Sequence, residues 1–149
     1  MRVWLPDWYP KPKARPRVTN GHAYMPGGYT DWKNETRALL RTAAPGHIPY
    51  AEPLALMVTY CYAKAPRGDA DNLLGGLMDA GNGILWADDR HVRALVFSLV
   101  KAGPDNPAGI EMEVWAWSEE QGIVLGDPGG KGSVTAKRKP GTRPSVRRP

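Results

Sequence analysis

The chain has 149 residues, 42% of them hydrophobic, with 20 Lys and Arg against 15 Asp and Glu and a formal charge of +5. That length suits one domain with its own core. Residues 1–20 contain no apolar signal-peptide run, no stretch reaches the roughly 18 consecutive apolar residues of a membrane span, and the single cysteine, Cys61, excludes an internal disulfide and a multi-cysteine zinc site.

These features predict a cytoplasmic protein, and the positive balance favours a polyanionic partner, most often nucleic acid. Residues 2–5, "RVWL", predict an opening strand stopped by Pro6. The run to Tyr29 is dense in Pro, Gly and basic residues and predicts an ordered loop or a short ribbon turning at Asn20-Gly21. A helix is expected from Thr30 or Asp31, with Trp32, Thr36, Leu39, Leu40 and Ala43 on its buried face. Lys33, Arg37 and Arg41 form a basic stripe on another face, suited to DNA contact or simply to solvent. Residues 54–63, "LALMVTYCYA", read as a mostly buried strand with Cys61 in the core. "DNLLGGLMDAG" follows as a second helix, with Asp71 a plausible N-cap.

Residues 92–101 read as a second buried strand. Residues 109–117 alternate Ile110, Met112, Val114 and Ala116 with Glu111, Glu113, Trp115 and Trp117, as a strand with one covered face does. The expected fold is therefore α+β: a mixed or antiparallel sheet of about four strands with two main helices, in a single domain over residues 1–126. Residues 127–149 carry seven Lys and Arg against Asp127 alone, so nearly all of the net charge sits there and the domain itself is close to neutral. Their Gly-, Pro- and Ser-rich composition predicts a disordered basic tail, either a solubilising end or a phosphate-binding arm.

The segment "RGDADNLLGGLMDAGNGILWADD", residues 67–89, runs against that distribution, gathering Asp69, Asp71, Asp79, Asp88 and Asp89. Five neighbouring carboxylates repel one another, so the pattern points to a bound cation. Asp69 and Asp71 stand where a turn becomes a helix, and Asp88 and Asp89 immediately precede a strand, so a hairpin-like return would bring Asp89 beside the first pair. Oxygen-only ligands of this kind suit Mg²⁺ or Mn²⁺. Helix capping and turn formation would account for one or two of the five. An EF-hand is excluded because the chain runs from Asp71 into "LLGGL" instead of continuing with alternate ligands. No P-loop is present, His22, His47 and His91 lack metal-ligand spacing, and Ser98, Ser118, Ser133 and Ser145 have no evident His and Asp partners.

"DADNLLGGLMDAGNGILWADDRHV" resembles the central motif of the RusA-type Holliday-junction resolvases, D-x-D-N-x-x-K followed by L-x-D-A-L-x-G-x-x-x-D-D. "PKARPRVTNGHAYMPGGYTDWK" is similar to the basic N-terminal segment of phage and bacterial members, and the likeness spans roughly residues 2–117. The resemblance implies a homodimeric endonuclease of DNA recombination and repair, dependent on Mg²⁺ or Mn²⁺, that cuts branched four-way DNA by paired symmetric nicks. Asp69, Asp71 and Asp89 match its catalytic, metal-binding aspartates, and Asn72, Asp79 and Asp88 match supporting positions. Arg15, Arg17, Lys33, Arg37 and Arg67 are the expected DNA contacts. The departure is at position 75, where the motif's lysine is replaced by Gly75. A cation there would lie one helical turn from both Asp71 and Asp79. Either another base such as Lys33 or Arg67 supplies that charge, or the protein is a non-catalytic or weakly active junction-binding dimer. The strand at 92–100 and the pair Trp115/Trp117 are the candidate dimer surfaces.

Overall fold

In the computed structural model the described residues are 1–118; the expected tail at 127–149 and the acidic pair Glu119-Glu120 lie outside them. In chain order the elements are β1 (Arg2–Pro6), β2 (Arg17–Thr19), β3 (His22–Tyr24), α1 (Gly27–Ala43), β4 (Leu54–Tyr62), α2 (Ala70–Gly81), a 3₁₀ turn (Asp89–His91), β5 (Val92–Lys101) and β6 (Gly109–Ala116). Four strands form one sheet in the order β1-β6-β4-β5. β6 runs antiparallel to both β1 and β4, while β4 and β5 are parallel. This mixed sheet with two helices is the expected α+β architecture.

The sequence patterns explain which faces are covered. Along β6 the apolar set Ile110, Met112 and Val114 is fully buried, whereas Glu111 and Glu113 on the opposite face stay half-buried. On β4 the residues Leu54, Leu56, Val58 and Tyr60 join them, with Val3 and Leu5 from β1. Tyr29, Trp32 and Leu40 of α1 and Leu77 and Ala80 of α2 close this face. Each fully buried aliphatic side chain contributes roughly 1.5–3 kcal/mol. The ribbon β2–β3 turns at Asn20 and Gly21, whose φ values of 52° and 78° are the two left-handed conformations that such a two-residue hairpin requires.

Two expectations are corrected. α1 begins at Gly27, earlier than the polar residues Thr30 and Asp31 suggest, with Pro26 at the N-cap position. The earlier start places Tyr29 one turn ahead of Trp32, and the buried face becomes Tyr29, Trp32, Thr36 and Leu40, leaving Leu39 and Ala43 exposed. Secondly, β5 is not a buried strand. It lies at the sheet edge, where Leu95 and Leu99 remain 41% and 40% exposed because, among the described residues, no strand lies beyond them. A continuous apolar run does not distinguish an inner strand from an edge.

The crossover from β4 to β5 positions the acidic segment. Tyr62 at the end of β4 is level with Lys101 at the end of β5, and Leu54 is level with Val92. Because the strands are parallel, α2 must carry the chain from one end of the strands back to the other. Its 12 residues do so over about 18 Å.

Candidate metal and nucleic-acid site

The first part of the site is the N-terminal end of α2. Asp69 takes the N-cap position with extended backbone (φ −75°, ψ 152°), but its carboxylate makes no capping hydrogen bond. Its carbonyl accepts Leu73 N–H at 3.0 Å. The expected cap, Asp71, lies inside the first turn instead, and both side chains are exposed. The positive end of the helix dipole stabilises carboxylates here, and the oxygen that a cap would normally engage is left free. Free carboxylate oxygens are the donors preferred by a hard divalent cation, so the chemistry of Asp69 and Asp71 fits Mg²⁺ or Mn²⁺.

The N-terminal segment lies across this helix like a strap, and the glycine pair makes room for it. A Cβ on Gly76 would collide with the Lys11 carbonyl oxygen, while one on Gly75 would rest 3.4 and 3.5 Å from Cδ and Cβ of Lys13. Lys13 N–H donates to the Asn72 carbonyl at 2.9 Å. Its ammonium forms an ion pair with Asp79 Oδ1 at 2.9 Å, and the Tyr29 hydroxyl donates to Asp79 Oδ2 at 2.8 Å. Burial first, and then the hydrogen bond to Asp79, raises the Tyr29 phenol above its ordinary range. Both oxygens of Asp79 are therefore engaged, and this supporting carboxylate anchors the strap. Lys13 and Tyr29 are absent from the expected site residues. Tyr29 is detectable only once α1 is started early, and the Lys13 contact joins residues 66 apart.

The other end of α2 is closed by packing. Trp86 is fully buried and its indole N–H donates to Asn82 Oδ1 at 2.8 Å; a Cβ on Gly81 would run into the indole ring. The Arg37 guanidinium donates to the carbonyls of Ala80 at 3.2 Å and Asn82 at 2.6 Å. Arg37 thus turns away from the basic stripe to satisfy the carbonyl end of a helix, a common position for a cation. Asp88 caps the 3₁₀ turn by accepting Arg90 N–H at 2.9 Å. That hydrogen bond, assisted by the Arg90 charge, holds the Asp88 carboxyl below its ordinary value. Asp89, the first residue of the turn, is exposed.

The expected return of Asp89 to Asp69 and Asp71 is not made within one chain. Asp71 and the end of α2 are ten residues, or about 15 Å, apart, and the chain then continues to the start of β5 instead of doubling back. Among the described residues no three His, Cys, Asp or Glu side chains lie close enough to share one metal ion.

A cavity of about 600 Å³ lies between the segment Asp7–Pro12 and the loop Ala63–Arg67, which leads into the N-terminal end of α2. Its lining includes the rings of Trp8, Tyr9 and Tyr60 and the cations Lys11, Lys64 and Arg67. Aromatic surface with cations around it is the combination that binds unpaired nucleotides. Arg67 lines this cavity two residues before Asp69, whereas Arg15 is exposed ahead of the ribbon, Arg17 is exposed as the first residue of β2, and Lys33 is half-buried on α1.

A family model described as endodeoxyribonuclease RusA matches residues 7–115, from the loop after β1 almost to the end of β6. No curated protein matches the chain. No helix among the described residues is long and apolar enough to cross a membrane.

Proposed function

Because this chain belongs to the RusA endodeoxyribonuclease family, we propose that it is a homodimeric, Mg²⁺- or Mn²⁺-dependent nuclease that resolves four-way DNA junctions by paired symmetric nicks in cytoplasmic recombination and repair. The observation that carries this reading is the pair of exposed carboxylates, Asp69 and Asp71, following the loop whose Arg67 lines a cavity together with aromatic residues and with Lys11 and Lys64. Asp69, Asp71 and Asp89 would hold the metal. When bound, it would polarise the scissile phosphate and lower the pKa of a coordinated water. Arg67, Lys11 and Lys64 attract the phosphate backbone, with Arg15, Arg17 and Lys33 as more distant contacts. Asp88 fixes the turn that presents Asp89, and Asp79 with Asn72 holds the strap.

Homodimerisation gives Asp89 a route to the other two aspartates. Among the described residues β5 is an unpaired edge carrying two exposed leucines, and such an edge is a ready template for strand addition. Antiparallel pairing of two copies about Phe97 would set Leu95 opposite the partner's Leu99 and cover both. It would also bring the start of one β5, with Asp88 and Asp89, to the end where the partner's β4 leads into its Asp69 and Asp71. Trp115, the other candidate surface, lies on the inner strand β6, which has no free edge to offer. Two composite sites related by a two-fold axis suit a junction with two equivalent strands.

The test is incubation of labelled four-way junction and linear duplex with the purified protein in Mg²⁺, Mn²⁺ or EDTA. Paired junction nicks that vanish in EDTA and in Asp71→Asn support the reading. A second reading, a junction-binding dimer that scarcely cuts, is favoured by Gly75; tight junction binding with no nicking in either metal would establish it.

A further inference from the structure

Gly75 removes a side chain from the middle of α2, and another residue occupies the space. The stem of Lys13 lies over Gly75, its backbone N–H is tied to Asn72 and its ammonium to Asp79. We propose that Lys13, delivered by the N-terminal strap, is the cation that contacts the DNA phosphate at this site. The proposal rests on the nuclease reading above.

Three features support it. Gly75 follows Asp71 by four residues, so the Lys13 stem lies on the helix face that also carries Asp71, one turn away, and its ammonium, at Asp79, lies one turn further, about 12 Å along the axis from Asp71. Among the described residues, Lys13 is the one Lys or Arg that forms an ion pair with α2. Its side chain remains 50% exposed while that of Asp79 is 18% exposed, so the pair presents its cationic side outward. A lysine ammonium has three N–H donors, and Asp79 engages one; the others remain available to a phosphate oxygen. Tyr29 holds the second oxygen of Asp79, fixing the carboxylate and hence the ammonium. Preorganised positive charge of this kind stabilises negative charge developing on a phosphate. Lys33 and Arg67, the bases that sequence spacing suggests for this role, lie on α1 and on the cavity rim.

The geometry also predicts an order of substitution. A long side chain at position 75 would contest the space held by the Lys13 stem, so Gly75→Lys alone should gain nothing, whereas Gly75→Lys in a Lys13→Ala background should restore the charge. The experiment compares single-turnover junction cleavage by the wild type, Lys13→Met, Lys13→Arg and Lys13→Ala/Gly75→Lys in Mg²⁺, after thermal melts confirm folding. Lys13→Met keeps the apolar stem over Gly75 and removes the ammonium together with its ion pair to Asp79. It should lower the cleavage rate by about 10²–10³-fold, the usual cost of losing one preorganised donor. Lys13→Arg and the double variant should recover at least about tenfold of that loss. A Lys13→Met rate within about threefold of wild type, or a loss that neither rescue variant reverses, would overturn the proposal, the latter leaving Lys13 a packing role only. If the wild type cuts nothing, the nuclease reading fails, and the salt dependence of junction binding then tests Lys13 on its own. Lys13→Met should lower that slope by about 0.9, one phosphate contact, and an unchanged slope would overturn the proposal.

Discussion

The two ends of α2 are built by opposite means. At its C-terminal end partners close on the helix: Arg37 donates to the carbonyls of Ala80 and Asn82, Asn82 accepts from Trp86, and Gly81 leaves room for the buried indole. At its N-terminal end Asp69 stands at the cap position without capping and Asp71 is exposed, while the ion pair that α2 makes, Lys13 with Asp79, falls in its last turn. The contrast sets a packed end against an exposed acidic end of one helix. The closed end buries Trp86 against α2, and the open end leaves the carboxylates of Asp69 and Asp71 exposed.

The first way to break this contrast is at the closed end. Trp86→Ala should cost about 3–5 kcal/mol through the cavity it leaves and lower Tm by roughly 12 °C or more. Junction nicking should fall only because folded protein is lost, so activity per folded molecule, measured well below Tm, should hold. At the open end the signs reverse. Asp69→Asn or Asp71→Asn should reduce nicking by roughly 10²-fold or more and change stability by less than about 0.5 kcal/mol, with Mn²⁺ binding by calorimetry weakened in parallel. Gly76→Ala belongs between the two, because the added methyl displaces the Lys11 carbonyl. It should cost about 1–3 kcal/mol and, by shifting the strap, slow cleavage as well.

Smaller effects sharpen the comparison further. Lys33 and Arg37 look equivalent as a basic stripe, yet the structure divides them. Arg37→Ala should destabilise by about 1–2 kcal/mol, having lost hydrogen bonds from a charged donor, whereas Lys33→Ala should leave Tm unchanged and alter only the salt dependence of DNA binding. The smallest effect expected is that of pH on the 3₁₀ turn. The Asp88 carboxyl sits below its ordinary value in the folded chain, so its contribution is complete above that ordinary value and is lost as pH falls through the lowered one. The Arg90 amide resonance should report this loss on acidification.

Local pattern made much of the fold legible. Alternation identified β6, the apolar run identified β4, and Asn20-Gly21 identified the ribbon turn. The failures have distinct physical origins. "MPGGY" contains residues that commonly end helices, yet Pro26 and the following glycines begin one. β5 has the composition of an inner strand, but strand order is a property of the whole sheet. The D-x-D and D-D motifs stand out in the sequence, whereas the distance between them depends on α2 joining parallel strands. The partner of Gly75 was hidden for the same reason: nothing near position 75 indicates that Lys13 lies across it. Charge spacing alone likewise cannot tell that Arg37 turns inward to cap a helix.

The central claim is that Asp71 and Asp89 act together although one chain holds them at opposite ends of a helix. Asp71→Asn and Asp89→Asn proteins, each prepared alone and then mixed under conditions that exchange subunits, test it most directly. A site shared between two copies predicts that each variant alone fails to nick a four-way junction and that the mixture regains activity, because one of the two sites in each mixed dimer receives both native aspartates. Random exchange in a symmetric dimer would rebuild on the order of a quarter of the wild-type sites. A mixture as inactive as its parents, with subunit exchange verified, would contradict the account.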